Sequence, residues 1–395
     1  MCVRVLIDYR PALRDRTGVG EYTHQLAAAL LAAFPTPAAN GALDLTIFSS
    51  SWKDRLTLAP ELAGAAAIDR SVPVHLLNLA WHRLGWPPVE TLAGGRIDVA
   101  HSLHPLLLPA RAAQVVTVHD LHFLDHPERT GAEIRRDYPG LVRVHAHRAD
   151  RIVVPSRFTA REVERRLGVP AGRIAVCPPG APRWTPPATP PDDGYILFFG
   201  TLDPRKNVGG LLDAYERLIA AEAGPAEAGH EARHGQLPHR PTPQLVLAGK
   251  AIEGSRPWLD RIARPPLAGR VRHLGYVNPD SREALYRGAR LLVQPSFEEG
   301  FGMPVLEAMA AGVPVVASNR GSLPEVLGDA GALVDPDDPQ ELSAAMSRLI
   351  GNPACAADCR ARGFAQARTF NWERTARLVY DAYQQAIDHR RCASA

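Results

Sequence analysis

No apolar run in the sequence approaches the ~20 residues that a helix needs to cross a bilayer, so a membrane span is not expected. No secretory leader is expected either, because MCVRVLIDYR opens directly on a strand pattern. Cysteine is scarce: Cys2, Cys177, Cys355, Cys359 and Cys392 are scattered and odd in number, which argues for a reducing compartment against a disulfide framework. Cys355 and Cys359 stand one helical turn apart with no answering His or Cys pair, so a zinc site is not expected. Charge of one sign is also lacking. With 45 basic and 42 acidic residues the net charge is only +3, and no general affinity for nucleic acid follows. These absences leave a cytoplasmic protein, with peripheral attachment to the inner face of the membrane still open.

An apolar content of 46% and a charged content of 22% are those of a globular chain, and 395 residues exceed one ordinary core. In the first half, VRVLID, LDLTIFS, IDVAHS, VVTVHD and RIVVPS read as short apolar strands, with helical stretches such as EYTHQLAAALLAAF between them. The second half restarts with YILFFG, LVLAG, VRHLGYV, RLLVQPS, VPVVAS and GALVDP. Strands alternating with helices predict α/β architecture with two doubly wound parallel sheets. The proline-rich stretch 178–194 reads as a linker. Expected boundaries are 1–180 for the first domain, 181–194 for the linker, 195–370 for the second domain and 371–395 for a last helix. Segment 221–243 has no apolar period and reads as a flexible insertion; its His230, His234 and His239 are expected to be solvated, though a metal could recruit them.

Sheets of this kind bind ligands beyond the carboxyl ends of their strands, and four stations there carry chemistry. The first is RTGVGEYTHQL, where Gly18 and Gly20 are read as lying directly before a helix, open to an anionic group or forming a plain turn. No glycine follows Gly20 by three, so this is not the dinucleotide fingerprint, and a dehydrogenase is disfavoured. At the second, His119 and Asp120 end a buried strand, with His122 further out; a histidine there can bond a sugar hydroxyl, trade protons near neutral pH, or simply cap the strand. The third is FFGTLDPRKN, whose Arg205 and Lys206 could serve a diphosphate or be ordinary surface charge. The fourth is EEGFGMPVLEAMAAGVPVVAS. It reads as a Gly300-Phe301-Gly302 turn carrying Glu299, then a helix opened by Pro304 with Glu307 in its first turn and Gly312 at its close. Two carboxylates so spaced could grip two different rings, and the amides of Phe301, Gly302 and Met303 add donors. The competing reading is an acid favoured by the helix dipole, which suits Glu307 better than Glu299.

With those stations in order, the chain resembles the retaining glycosyltransferases of the GT-B fold, in the large family numbered four, and within it the subgroup containing many bacterial mannosyltransferases. The most specific element is the acid-x7-acid motif from Glu299 to Glu307, followed by AMAAGVPVVASNRGSLPEV and accompanied by TLDPRKN and VHDLHFLDHPE. The resemblance implies two Rossmann-like domains facing across a cleft, a nucleotide-sugar donor (GDP-mannose first among the candidates), no metal, and a glycan or lipid-linked acceptor. Glu299 would then hold donor-sugar hydroxyls and Glu307 the ribose. Arg205 and Lys206 would neutralise the diphosphate, and Gly18 and Gly20 would approach it from the facing domain. His119 would orient the sugar or the acceptor, and the backbone around Gly275, Tyr276 and Val277 would meet the nucleobase. Many relatives carry Arg after Gly200, where this chain has Thr201, so the phosphates would lean more on Arg205 and Lys206. Phe370-Asn371-Trp372 and the helix after it resemble the family's helix that crosses back to the first domain. A nucleotide-sugar epimerase and a non-catalytic nucleotide-sugar-binding protein are the rival readings. The segment VHLLNLAWHRLGWPPVE, with Trp81, Trp86, His82 and Arg83, could lie at a membrane interface or pack within the first domain. The sequence gives no oligomeric state.

Overall fold

The computed structural model describes residues 2–13, 16–35, 42–127, 132–189, 191, 193–222 and 241–394. Most of the expected 221–243 insertion, with its three histidines, lies outside the described residues; Ala221 and Glu222 end the helix Val208–Glu222. The chain forms two compact units, Met1–Gly180 with Phe370–Ala395, and Ala181–Thr369.

Unit 1 holds a seven-stranded sheet. Its strands are β1 (Val3–Asp8), β2 (Leu43–Ser50), β3 (Ala66–Arg70), β4 (Val99–Ser102), β5 (Ala113–Thr117), β6 (Arg151–Val154) and β7 (Ile174–Val176). Unit 2 has six: β8 (Tyr195–Phe199), β9 (Leu245–Ala248), β10 (Val271–Gly275), β11 (Ala289–Gln294), β12 (Val315–Ser318) and β13 (Ala332–Val334). Their orders are β3-β2-β1-β4-β5-β6-β7 and β10-β9-β8-β11-β12-β13, and all the pairings are parallel. The central strands are covered on both faces and therefore read as unbroken apolar runs. The two strands absent from the sequence reading, β3 and β7, are the edges of the first sheet. β3 has no buried residue and β7 is half-buried throughout, so neither carries a core-strand signature.

One face of the first sheet is packed by the helix Gly18–Ala33, here α1, and by the C-terminal helix Trp372–Ser394. Leu26, Leu30, Val379 and Tyr383 meet Val5, Ile7 and Leu45 there, and each fully buried leucine is worth about 1.5–3 kcal/mol. A polar contact fixes that helix, since the Tyr383 hydroxyl sits 2.7 Å from His101 Nδ1, whose Nε2 meets Thr117 Oγ1 at 2.8 Å. The opposite face receives α2 (Val74–Leu84), through Leu77 and Trp81 against Leu6 and Phe48. In each unit the strand order reverses direction once, between β1 and β4 and between β8 and β11. The loops leaving those strands diverge to opposite faces and open a crevice.

Candidate active site

At the unit 2 crevice, β8 runs into Gly200, Thr201 and a single 3-10 turn, Pro204–Lys206. The Asp203 carboxylate accepts from the Arg205 amide at 2.9 Å, and Asn207, at φ 55°, ends the turn. This geometry aims Lys206 inward. Its Nζ lies 2.5 Å from Glu299 Oε1, on the loop after β11, and both side chains are almost wholly buried. Gln294 Nε2 at 3.0 Å and Ser296 Oγ at 2.8 Å donate to the same oxygen. Burial alone would push the Glu299 carboxyl up. The charges of Lys206 and Arg205, with the hydrogen bonds from Lys206 and Ser296, outweigh it and hold the group below the usual range. Three donors, from Lys206, Gln294 and Ser296, converge on Oε1.

The Glu299 backbone is equally fixed, because Ser322 Oγ and the Ser322 amide donate to its carbonyl at 2.9 and 3.1 Å. Gly302 caps the next helix at φ 100°, and a β-carbon there would stand 2.5 Å from Leu323 Cδ2; only glycine fits both demands. The helix spans Met303–Ala310, so Pro304 occupies its second position and Gly312, at φ 68°, follows its end. Glu307 is therefore the fifth helical residue, in the second turn and not the first. That removes the dipole explanation, whose effect fades beyond the first turn. Its partner is Arg282 instead, on the helix Pro279–Arg287, with Nη1 3.0 Å from Glu307 Oε1 and Cζ 5.5 Å from the Phe199 ring centroid.

Further along the same sheet edge stand Lys250, after β9, and Tyr276, after β10, with the ammonium 5.2 Å from the ring centroid. Gly275 ends β10 at φ 69°, its carbonyl accepting from the Gly249 amide at 2.8 Å, and Val277 follows in the loop. Strands β10, β9, β8 and β11 are consecutive neighbours. Three gaps of about 4.8 Å make a row of roughly 14 Å from the base-side loop to Glu299.

In unit 1 the glycines expected directly before a helix lie inside it. Thr17 is the N-cap, and Gly18 and Gly20 are the first and third residues of α1. A β-carbon on Gly20 would lie 2.6 Å from the Pro11 carbonyl oxygen, so close packing accounts for that glycine; one on Gly18 would meet nothing within 4 Å. The crevice beside them holds a cluster the sequence reading missed. Asp8, fully buried at the end of β1, receives Arg10 Nε at 2.8 Å and Nη2 at 2.7 Å, and His104 Nε2 lies 3.2 Å away. Burial would raise the Asp8 carboxyl, but the Arg10 charge and the hydrogen bonds from Arg10 and His104 hold it well below the usual range.

Three imidazoles grip the loop after β4. The amides of Leu106 and Leu107 donate to His104 Nδ1 and His145 Nδ1, at 3.3 and 2.9 Å, and His119 Nε2 lies 3.2 Å from the Leu103 carbonyl. A carbonyl can only accept, so His119 carries its hydrogen on Nε2 and leaves Nδ1 as an acceptor. Burial pushes His119 down to about 4, against the opposing Asp120 charge. It is thus neutral near pH 7, which favours the hydrogen-bonding reading of this residue over proton exchange. Asp120 accepts from the His122 amide at 3.3 Å.

Burial holds His101, His119 and His145 at about 3, 4 and 4, against an ordinary 6.5. In the unfolded chain these groups take up protons that the native state refuses, so stability rises with pH between those values. Acidification from about pH 6.5 toward 4 should therefore drain stability from unit 1, with a slope approaching three protons near pH 5. Asp8 adds its loss only as pH falls below the ordinary 3.8. Urea unfolding across this range measures the slope, and His101→Gln should lower it by close to one proton.

Residues 16–182 match the family described as Glycosyltransferase Family 4, and residues 193–352 match Glycosyl transferases group 1. The chain is 35% identical over 291 residues to "O-antigen chain mannosyltransferase B" of Escherichia coli, covering 70% of this chain and 72% of the relative. It is 29% identical over 327 residues to "D-inositol 3-phosphate glycosyltransferase 2" of Catenulispora acidiphila, covering 78% and 69%. Among solved structures it superposes on sucrose-phosphate synthase from Thermosynechococcus elongatus with a TM-score of 0.74, at 21% identity and over 100% of both chains. Two Rossmann-like parallel sheets, the acid-x7-acid loop and these likenesses lead to one conclusion: the chain belongs to glycosyltransferase family 4 and has the GT-B fold.

Proposed function

We propose that this glycosyltransferase moves mannose from GDP-mannose to a hydroxyl of a glycan or lipid-linked acceptor, with retention at the anomeric carbon and without a metal ion. The Lys206–Glu299 pair at the unit 2 crevice carries the reading. Glu299 is assigned to hydroxyls of the donor sugar. Lys206 and Arg205 are assigned to supply the positive charge that a leaving diphosphate needs. Gly200, Thr201 and the amides of Gly300 to Met303 line the same loops, and the row from Glu299 to Tyr276 suits an extended nucleotide sugar. Glu307 is assigned to the ribose, the Gly275–Val277 backbone to the base, and Gly18 to the phosphates. His119 Nδ1 is assigned to a hydroxyl of the reacting sugar. Mannose as the transferred group is supported by the 35% identical relative named as an O-antigen chain mannosyltransferase.

The test is melting and turnover against GDP-mannose, UDP-glucose, UDP-GlcNAc and the free nucleotides, with and without EDTA. GDP-mannose at a hundred times its Kd should stabilise the fold by about 2.7 kcal/mol, and EDTA should leave turnover unchanged. Stabilisation by the UDP series alone would reassign the donor. Loss of turnover in EDTA would sink metal-free transfer, and stabilisation without turnover on any acceptor would mark a nucleotide-sugar-binding protein.

A further inference from the structure

The motif Phe370-Asn371-Trp372 has no part in the donor assignments, yet its tryptophan stands one ring away from His119. Tyr22, the fifth residue of α1 and 2% exposed, lies between them. Its ring meets the His119 imidazole edge to face, with centroids 4.9 Å apart and planes at 83°. It meets the Trp372 indole at 5.8 Å and 58°. The indole is pinned in turn. A β-carbon on Gly180 would stand 2.6 Å from Trp372 Cγ, so the chain runs directly against it, and Thr375 Oγ1 donates to the Pro178 carbonyl at 2.6 Å. The Tyr22 hydroxyl is buried and faces Thr117 without reaching hydrogen-bond geometry. A buried hydroxyl left unpaired is destabilising, so it is the ring, and not the polar tip, that this position uses.

We infer that Tyr22, backed by Trp372, is the positioning residue that fixes the plane of the His119 imidazole for the transfer reaction. The inference rests on the proposed reading of His119 and adds what aims it. Two hydrogen bonds hold this histidine: Nε2 to the Leu103 carbonyl at 3.2 Å, and its own carbonyl accepting from Thr159 Oγ1 at 3.4 Å. Each fixes a point, and neither fixes the ring plane. The second side-chain torsion of histidine is broad and nearly two-fold, so Nδ1, the acceptor assigned to the sugar, needs a wall to aim it. A perpendicular aromatic ring in close-packed surroundings is such a wall, because a turned imidazole would lose the favoured edge-to-face arrangement. The titratable groups around the imidazole are Asp120 on its own loop, His104 after β4, His101 on β4 and Tyr22 on α1. The C-terminal helix thereby acquires a role beyond covering the sheet: its first residue supports the ring that aims His119.

The experiment compares Tyr22→Leu, Tyr22→Phe, Trp372→Leu and Leu30→Ala with wild type in the full chain, each below its melting transition. It reads kcat and KM on whichever donor the melting screen selects, and follows the labelled His119 imidazole nitrogens by NMR without donor. Tyr22→Leu should lower kcat by about 10–100-fold with little change in KM. Its His119 should titrate well above the native value of about 4, toward the ordinary 6.5, and lose its single Nε2–H tautomer at neutral pH. Turnover should then fall more steeply than in wild type between about pH 7 and 5.5, because a proton on Nδ1 removes the acceptor. Trp372→Leu should move both readouts the same way by a smaller factor. Tyr22→Phe keeps the ring and discards only the unpaired hydroxyl, so turnover should return close to wild type. Leu30→Ala, buried in the same core, weakens α1 without touching the ring and should leave the tautomer and kcat as they are. A loss in Tyr22→Phe equal to that in Tyr22→Leu would overturn the inference, as would an unmoved His119 titration in Tyr22→Leu or Trp372→Leu. So would a loss in Leu30→Ala that matches theirs. If Tyr22→Leu does not fold, Trp372→Leu set against Leu30→Ala decides. The nitrogen spectra need no donor, so failure here is distinct from failure of the donor reading.

Discussion

Lys206→Met should lower turnover by about 10²–10³-fold and, in the same variant, destabilise unit 2 by about 3–5 kcal/mol. The two losses have different causes. Under the proposed roles, turnover falls because the ammonium assigned to the developing charge on the diphosphate is gone, leaving Arg205 to neutralise it. Stability falls because Glu299 is left buried without the ammonium in contact with it, its Oε1 held by the neutral donors Gln294 and Ser296. The variant Lys206→Met/Glu299→Gln separates them. Removing both charges relieves the stranded carboxylate, so the melting point should recover, while turnover stays low because neither donor contact returns. Recovery of turnover to near wild type in that double variant would show that Lys206 serves only to neutralise Glu299, and the catalytic assignment would fall. The readouts are kcat, KM and the unit 2 melting transition.

Arg282→Met should lower the unit 2 melting temperature by roughly 6–20 °C. That range follows from about 3–5 kcal/mol for breaking a buried pair and about 2–4 °C per kcal/mol for a body of this size. Arg282 and Glu307 are both buried, and the guanidinium also covers the Phe199 ring. Methionine keeps much of the packing and none of the charge, so the Glu307 carboxylate, left buried without its guanidinium, dominates the effect. Glu307→Gln on the Arg282→Met background should restore most of the loss, since the charge that needed a partner is then absent. A drop below about 2 °C in the single variant would mean that the pair is solvated, and Glu307 would need another explanation. Donor affinity is the second readout. If Glu307 holds the ribose, Glu307→Gln/Arg282→Met should still bind GDP-mannose more weakly than wild type after its melting point has recovered.

Particular elements show which parts of this molecule could be read from the chain. Strands such as YILFFG and RLLVQPS are buried on both faces, and their unbroken apolar runs state it openly. The edge strand β3 is AAIDR, half-exposed and short, and it pairs only because β2 offers its free side. Glu299, Arg205 and Lys206 were legible as charged residues on glycine- and proline-marked loops directly after such strands. Glu307 was legible as an acid but misplaced by one residue, which moves it out of the first turn, because Met303 and not Pro304 begins the helix once Gly302 takes a positive φ. Arg282 was not legible. It lies in DSREALYRG, a segment that reads as an ordinary solvated helix, and only the fold turns it toward the helix that follows β11. Asp8, Arg10 and His104 likewise stand in separate loops with nothing local to join them.

The sequence by itself determined the alternation of strands and helices, the division into two α/β units, and the placing of chemically able side chains at carboxyl ends of strands. Those features depend on apolar period, turn chemistry and capping, all of which act within a few residues. Tertiary structure alone decided which loops meet. Because β8 lies beside β11, with the order reversing there, Lys206 and Glu299, 93 residues apart, close to 2.5 Å. Which way α2 faces was settled in the same manner: Trp81 and Asn78 found partners on the sheet and the β1 loop, and the leucines opposite them were left outside. Such choices depend on pairing and burial across the whole sheet, and no short window of residues contains them.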